Sequence, residues 1–155
     1  MSILHRLKHE NSLNQPKWLV LLRMALGAML FIKGITFMGD SSQLENLIAN
    51  SQLRGQYSPL LATIISWTHL FGGLFILTGL ATRYMSLIQI PILLGAVLFV
   101  NLPTFTLDNA SELILSILML VLLLVFVIEG SGKISADEYF RTYYRAGYHK
   151  VKVDI

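Results

Sequence analysis

Eight side chains with charged or strongly hydrogen-bonding ends fall within or beside long apolar stretches: Arg23, Lys33, His69, Arg83, Gln89, Asn101, Glu112 and Glu129. Lipid rejects such groups, so at membrane depth each needs a protein interior and a partner, or must reach a surface. Their types bound the chemistry. A guanidinium beside a carboxylate makes an interhelical ion pair or a proton or anion relay. An imidazole exchanges protons or ligates a metal. Each also has a structural use: Arg23 with Glu129 as an ion pair, Lys33 snorkelling to the interface, His69 as a hydrogen-bonded packing residue.

The elements that position these groups are four apolar runs, approximately 18–38, 60–80, 84–102 and 113–128. A helix crosses a bilayer with about 20 apolar residues. Three runs reach that length, and the fourth does so with Glu112 and Glu129 at the membrane surfaces. The composition is 54% hydrophobic over 155 residues, above the usual soluble domain. The reading is one all-α integral membrane domain over 1–155: a four-helix transmembrane bundle, a short outer amphipathic helix, and tails 1–17 and 130–155. No length is left for a soluble catalytic domain. Met1–Lys17 is polar and has no apolar core before a cleavage site, so span one is expected to act as an uncleaved signal-anchor.

Rise along a helix sorts the polar groups by depth. Arg23 lies about 9 Å inside one end of span one, with Gln89 at similar depth and Arg83 and Glu129 at that face. Lys33 lies about 8 Å, and His69 about 13 Å, from the opposite ends of their spans, with Glu112 and Asn101 bordering that face. Two clusters result. Arg23, Gly27, Leu30 and Gly34 share one helical stripe, and Ala62, Ser66, His69 and Gly73 another. Small residues let membrane helices approach closely, so both stripes are expected to face inward.

Charge sets the orientation. Nine Lys and Arg residues lie in the two tails and the second loop, against Arg54 alone on the other side. The positive-inside rule then puts both termini in the cytoplasm. The same basic tails fit anionic lipid better than nucleic acid.

The connections have their own signals. Pro16 ends an amphipathic piece, Ile3–Leu13, and Trp18 suits the interface. Ser42–Arg54 has helical apolar spacing and reads as a surface helix capping the bundle. Gly79–Arg83 is a tight turn making spans two and three a hairpin. Pro91 should kink span three. Asp108 and Asn109 open the fourth helix, and Asn109-Ala110-Ser111 matches the glycosylation pattern. Ser135-Ala136-Asp137-Glu138 reads as a capping box before a short helix, 137–145, whose aromatics suit the membrane surface.

Several chemistries are excluded. The chain has no cysteine, which removes disulfides, thiolate–metal sites and iron–sulfur clusters. A bis-histidine haem needs a second intramembrane histidine, and His5, His9 and His149 are in the tails. The six methionines are scattered, and no phosphate loop, metal motif or hydrolytic triad is present.

Three blocks carry a family resemblance. They are Arg23, Leu26-Gly27, Phe31 and Gly34; His69-Leu70-Phe71-Gly72-Gly73-Leu74 through Leu77-Thr78-Gly79-Leu80-Ala81-Thr82-Arg83; and Glu112 with the closing Gly130-Ser131-Gly132-Lys133-Ile134-Ser135-Ala136-Asp137. Over about 19–137 the chain resembles the DoxX family. The resemblance implies a compact four-helix fold in a bacterial-type inner (cell) membrane. Some such proteins are associated with quinone-linked oxidation of sulfur compounds or with redox complexes. His69 stands where the family commonly has glutamate before the Gly-Gly pair.

Three functions remain in view. The first is a non-enzymatic accessory subunit of a redox or envelope complex, with no cofactor of its own and with membrane lipid and a membrane protein, or a second copy, as partners. The second is a quinone-interacting oxidoreductase component, with His69 exchanging protons and Lys33 supporting it. The third is a small-solute permease using Arg23. An enzyme acting alone is not expected, because no electron-carrying cofactor has a binding motif here.

Overall fold

The computed structural model describes residues 16–51, 58–103, 105–106, 110–132, 135–140 and 142–143. They form α1 (Lys17–Gly39), α2 (Ser41–Ala49), α3 (Ser58–Thr78), α4 (Thr82–Gly95), a π-helical continuation of α4 (Ala96–Asn101), and α5 (Ala110–Glu129). No strand occurs among the described residues. Four helices are long and apolar enough to cross a membrane: Lys17–Gly39, Ser58–Thr78, Thr82–Asn101 and Ala110–Glu129. Their outward faces carry exposed Leu21, Ile32, Ile64, Trp67, Leu87, Ile114 and Ile128. So much continuous apolar surface needs lipid around it. The fold is the expected four-span bundle, with each span displaced by one to three residues from its reading in sequence.

Glycine sets the tightest contact, between α1 and α3. A methyl on Gly27 would stand 2.6 Å from Leu77 Cα, and one on Gly34 would stand 2.7 Å from Leu70 Cα. A methyl on Gly73 would lie 2.8 Å from Phe31 Cα. As position rises along α1 it falls along α3, so the two helices are antiparallel with their backbones in contact. Both expected stripes face inward: Arg23, Gly27, Leu30 and Gly34 are buried, as are Ala62, Ser66, His69 and Gly73. The Gly72-Gly73 pair serves two neighbours. Gly73 admits α1, while a methyl on Gly72 would stand 2.5 Å from Gln89 Nε2 on α4.

The other spans close the bundle. The core joins Leu19, Leu26 and Leu30 of α1, Ile76 of α3, Leu93 of α4, and Met119, Leu123 and Phe126 of α5. The helix α2 buries Leu44 and Ile48 against Ala62, with Phe37, Leu61 and Ile65 around them. It caps the ends of α1 and α3, as read in sequence. The predicted extension through Leu53 to Arg54, the Ile3–Leu13 piece, Asp108-Asn109 and the segment beyond Tyr143 lie outside the described residues.

The turn after α3 is a Schellman motif. The Leu80 N–H donates to the Phe75 carbonyl at 2.8 Å and the Gly79 N–H to the Ile76 carbonyl at 3.2 Å. Gly79 has φ of 75°, the left-handed value this cap requires. Two residues later Ala81 also enters the left-handed region, with φ 48° and ψ 36°. An L-residue with a Cβ rarely adopts that conformation, so something must hold it there. Pro91 stands inside α4, on an exposed face.

Candidate functional site

At the end carrying Lys17 and Arg83, here the basic end, the polar groups converge on the segment after α5. Arg23 is only 3% exposed. Its Nη1 donates to the Ser131 carbonyl, and the Asp137 carboxylate is near enough to act on its charge. Arg83 Nη2 donates to the Glu129 carbonyl at 3.2 Å. Thus Arg23 does meet the Glu129 end of α5, and one hydrogen bond there uses a backbone carbonyl two residues farther on. Gly130 and Gly132, with φ of 82° and 72°, turn the chain sharply here. They also leave room: a methyl on Gly130 would lie 2.6 Å from Arg83 Nε.

Asp137 is the residue the inventory of polar groups missed. Both of its carboxylate oxygens accept the Ala81 N–H at 3.0 Å. Its own N–H donates to the Gly79 carbonyl at 3.3 Å. This is what holds Ala81 left-handed. Ser135 places it: the Ser135 Oγ accepts the Glu138 N–H at 3.2 Å and donates to the Gly132 carbonyl at 2.8 Å. That is the serine half of the predicted capping box, with helical residues over 136–140. The signal was legible, since Asp137 sits in that box, but its target across 56 residues was not.

At the far end Lys33 Nζ lies 2.7 Å from Glu112 Oε2, with side-chain exposures of 29% and 57%. Lys33 therefore pairs across the bundle rather than only snorkelling. Asn101 Nδ2 donates to Ser116 Oγ at 2.9 Å, which donates to the Glu112 carbonyl at 2.8 Å. Exposed ion pairs contribute about 0–1 kcal/mol, so these contacts fasten a register more than they stabilise the fold.

His69 is buried. Depth groups it with Glu112 and Asn101, yet Nδ1–H donates to the Ile65 carbonyl of its own helix at 3.1 Å. Its ring stands edge-on to Phe37, 6.1 Å between centroids. Beside Gly73 the Phe31 backbone leaves no open space. Gln89 is fully buried and its Nε2 donates to the Thr68 carbonyl at 3.0 Å. The sequence reading also passed over Thr82 and Ser86, which share the Gln89 face and are equally buried.

Among the described residues no group of three or more His, Asp or Glu side chains is placed to hold a metal ion. Chemically the arrangement is two polar ties between helices, one at each end, joined by an apolar core.

A family model described as DoxX matches residues 18–102, more than half of the chain. No curated protein and no solved structure matches it. The match covers α1 through the π-helical turn, which contains the glycine contacts and the Gly79–Arg83 loop. With four apolar helices, this chain is a small integral membrane protein that belongs to the DoxX family.

Proposed function

We propose that the protein is an accessory subunit of a membrane redox or envelope complex, seated in a bacterial inner membrane with both tails in the cytoplasm. One observation supports this above others. The buried guanidinium, imidazole and amide groups each donate to a backbone carbonyl: Arg23 to Ser131, His69 to Ile65, Gln89 to Thr68. Groups bonded in this way brace a scaffold. In this reading no cofactor is bound by the chain itself, and the outward apolar faces meet lipid and a membrane protein partner, or a second copy. Affinity purification of the tagged chain in mild detergent is the test. A defined membrane protein should co-purify in fixed ratio, and Gly73→Val, which disrupts the bundle, should abolish the association. A monodisperse chain that instead carries quinone in its co-extracted lipid, or that drives solute flux in liposomes, overturns the proposal in favour of the oxidoreductase or permease reading.

The orientation rests on the nine-to-one distribution of Lys and Arg. Reporter fusions after Met38 and Asp108 should read as external, and those after Arg83 and Ile155 as internal. An external C-terminus overturns it.

A further inference from the structure

Among the described residues, aromatic side chains with a polar handle sort to the ends of the bundle, with one exception. Trp18 stands at the start of α1, Tyr84 at the start of α4, and Tyr139 and Tyr143 follow α5, all exposed. There the headgroup region and water can bond an indole N–H or a phenol. Trp67 lies elsewhere. It stands about 14 Å from the Ser58 end of α3 and about 17 Å from the Thr78 end, in the middle of the span. It is 46% exposed on the outward face, and its indole N–H makes no hydrogen bond among the described residues. Its ring stacks on Phe71, with 5.3 Å between centroids and 17° between planes. Acyl chains offer that N–H no acceptor, and an indole N–H withdrawn from water usually has one.

The outward face of α5 offers a comparison. Its exposed Ile114, Ile117, Val121, Leu124 and Ile128 are all aliphatic, a surface that lipid covers without loss. On α3 the exposed Leu60, Ile64, Trp67, Phe71 and Leu74 alternate at spacings of four and three residues, which suits the seam of a left-handed helix pair. The same face carries an acceptor. Thr63, one turn before Trp67, is exposed, and its Oγ1 donates to the Pro59 carbonyl at 3.0 Å. That leaves its lone pairs free to accept. Helical side chains lean toward the N-terminus, so Trp67 leans toward the level of Thr63. Two copies inserted in the same direction, and related by a two-fold axis along the membrane normal, place α3 parallel to α3 at equal depth. Each copy then presents both the donor and the acceptor that the other requires.

We propose that the Leu60–Leu74 face of α3 is the contact between two copies of this chain, with the Trp67 Nε1–H of each donating to Thr63 Oγ1 of the other. The face of α5 is left to lipid. This contact rests on that part of the proposed function which gives an outward face to a second copy. It is tested on the chain alone, so its failure leaves the accessory role standing, to be decided by co-purification.

The full chain, reconstituted in lipid vesicles, tests this by cross-linking. The sequence has no cysteine, so a single introduced thiol is unambiguous. Leu60→Cys and Ile114→Cys place one near the same membrane surface at similar exposure, 57% and 65% for the native residues. Mild oxidation should give a covalent dimer several-fold faster with Leu60→Cys. Adding Trp67→Phe or Thr63→Val should cut that rate several-fold, and the two together should cut it no further. Equal rates at the two positions, or a rate that Trp67→Phe leaves unchanged, overturns the proposal. So does a Leu60→Cys chain that cross-links in host membranes to a different protein. The native Trp67 gives a second readout in a Trp18→Phe chain, which has no other tryptophan. Lipids brominated at mid-chain should quench it weakly at high protein density and strongly once the chain is diluted to monomers. Strong quenching at every density assigns the face to lipid and overturns the proposal. This readout needs no substitution on α3, so it decides if the α3 variants fail to fold.

Discussion

Gly73→Ala, the addition of one methyl group, should strongly destabilise the folded bundle, while Gly95→Ala should not. At Gly73 the new methyl would lie 2.8 Å from Phe31 Cα and 2.9 Å from the Gly27 carbonyl oxygen. Both are backbone atoms, so no side chain can rotate away and the helices must separate. Overpacking of this kind costs about 1–3 kcal/mol, and separation of α1 from α3 also strips contacts from Leu26, Leu30 and Ile76, all 0% exposed. At Gly95 a methyl meets nothing within 4 Å. There the residue gains helix propensity, up to about 1 kcal/mol, so the sign is neutral or opposite. Gly27→Ala should resemble Gly73→Ala. The pair should be less than additive, because the Gly27 methyl would lie 2.9 Å from the Gly73 carbonyl and one separation relieves both clashes. Tm in detergent micelles measures all four variants. A Gly73→Ala chain as stable as Gly95→Ala would refute the close crossing.

This contact also shows how far the sequence could be read. Spacing alone put Gly27 and Gly34 on the Arg23 stripe and Gly73 on the His69 stripe, because helical period is a local property. Which stripe meets which neighbour is not local. Gly72 and Gly73 are adjacent in sequence yet serve α4 and α1 separately, and nothing in their spacing distinguishes the two. Depth was likewise legible, since rise per residue fixes it. It grouped Lys33 with Glu112, and they pair.

Partners at equal depth were harder to assign. His69 was matched to side chains on other helices, yet its hydrogen bond goes to the Ile65 carbonyl. Arg23 was matched to the Glu129 end of α5, and it donates to the Ser131 carbonyl just beyond that end. In both cases the search ran over charged and polar side chains and left out backbone carbonyls, which every residue carries. The same habit hid Asp137. It was read as a cap of its own short helix, while its carboxylate reaches a backbone N–H of the distant Gly79–Arg83 loop. Thr82 and Ser86 were passed over for a different reason: hydroxyls within an apolar helix usually back-bond and carry no signal.

Asp137 yields the second large expected effect. Asp137→Ala removes a charged acceptor from the Ala81 N–H, and Ala81 then has nothing to hold its left-handed backbone. A hydrogen bond to a charged group contributes about 1.5–3 kcal/mol, and partial exposure of Asp137 places the loss toward the lower end. Asp137→Asn keeps one acceptor oxygen at the loop and loses the charge that faces Arg23. It should therefore cost less than Asp137→Ala while exposing the electrostatic link. That link is measured by a cycle with Arg23→Met. Alone, Arg23→Met leaves the Ser131 carbonyl and the Asp137 carboxylate without the cation that faces them, and loss of one partner from a buried charged site can cost about 3–5 kcal/mol. In the Asp137→Asn background the carboxylate is already gone, so the same substitution should cost at least about 0.5 kcal/mol less. Denaturant titration of the four chains in micelles gives the coupling. The closing segment then acts with α1 and the α3–α4 loop as one cooperative unit, although it lies beyond the stretch that the family model matches. Additive losses would mean that Arg23 and Asp137 brace the basic end independently, the first through Ser131 and the second through Ala81.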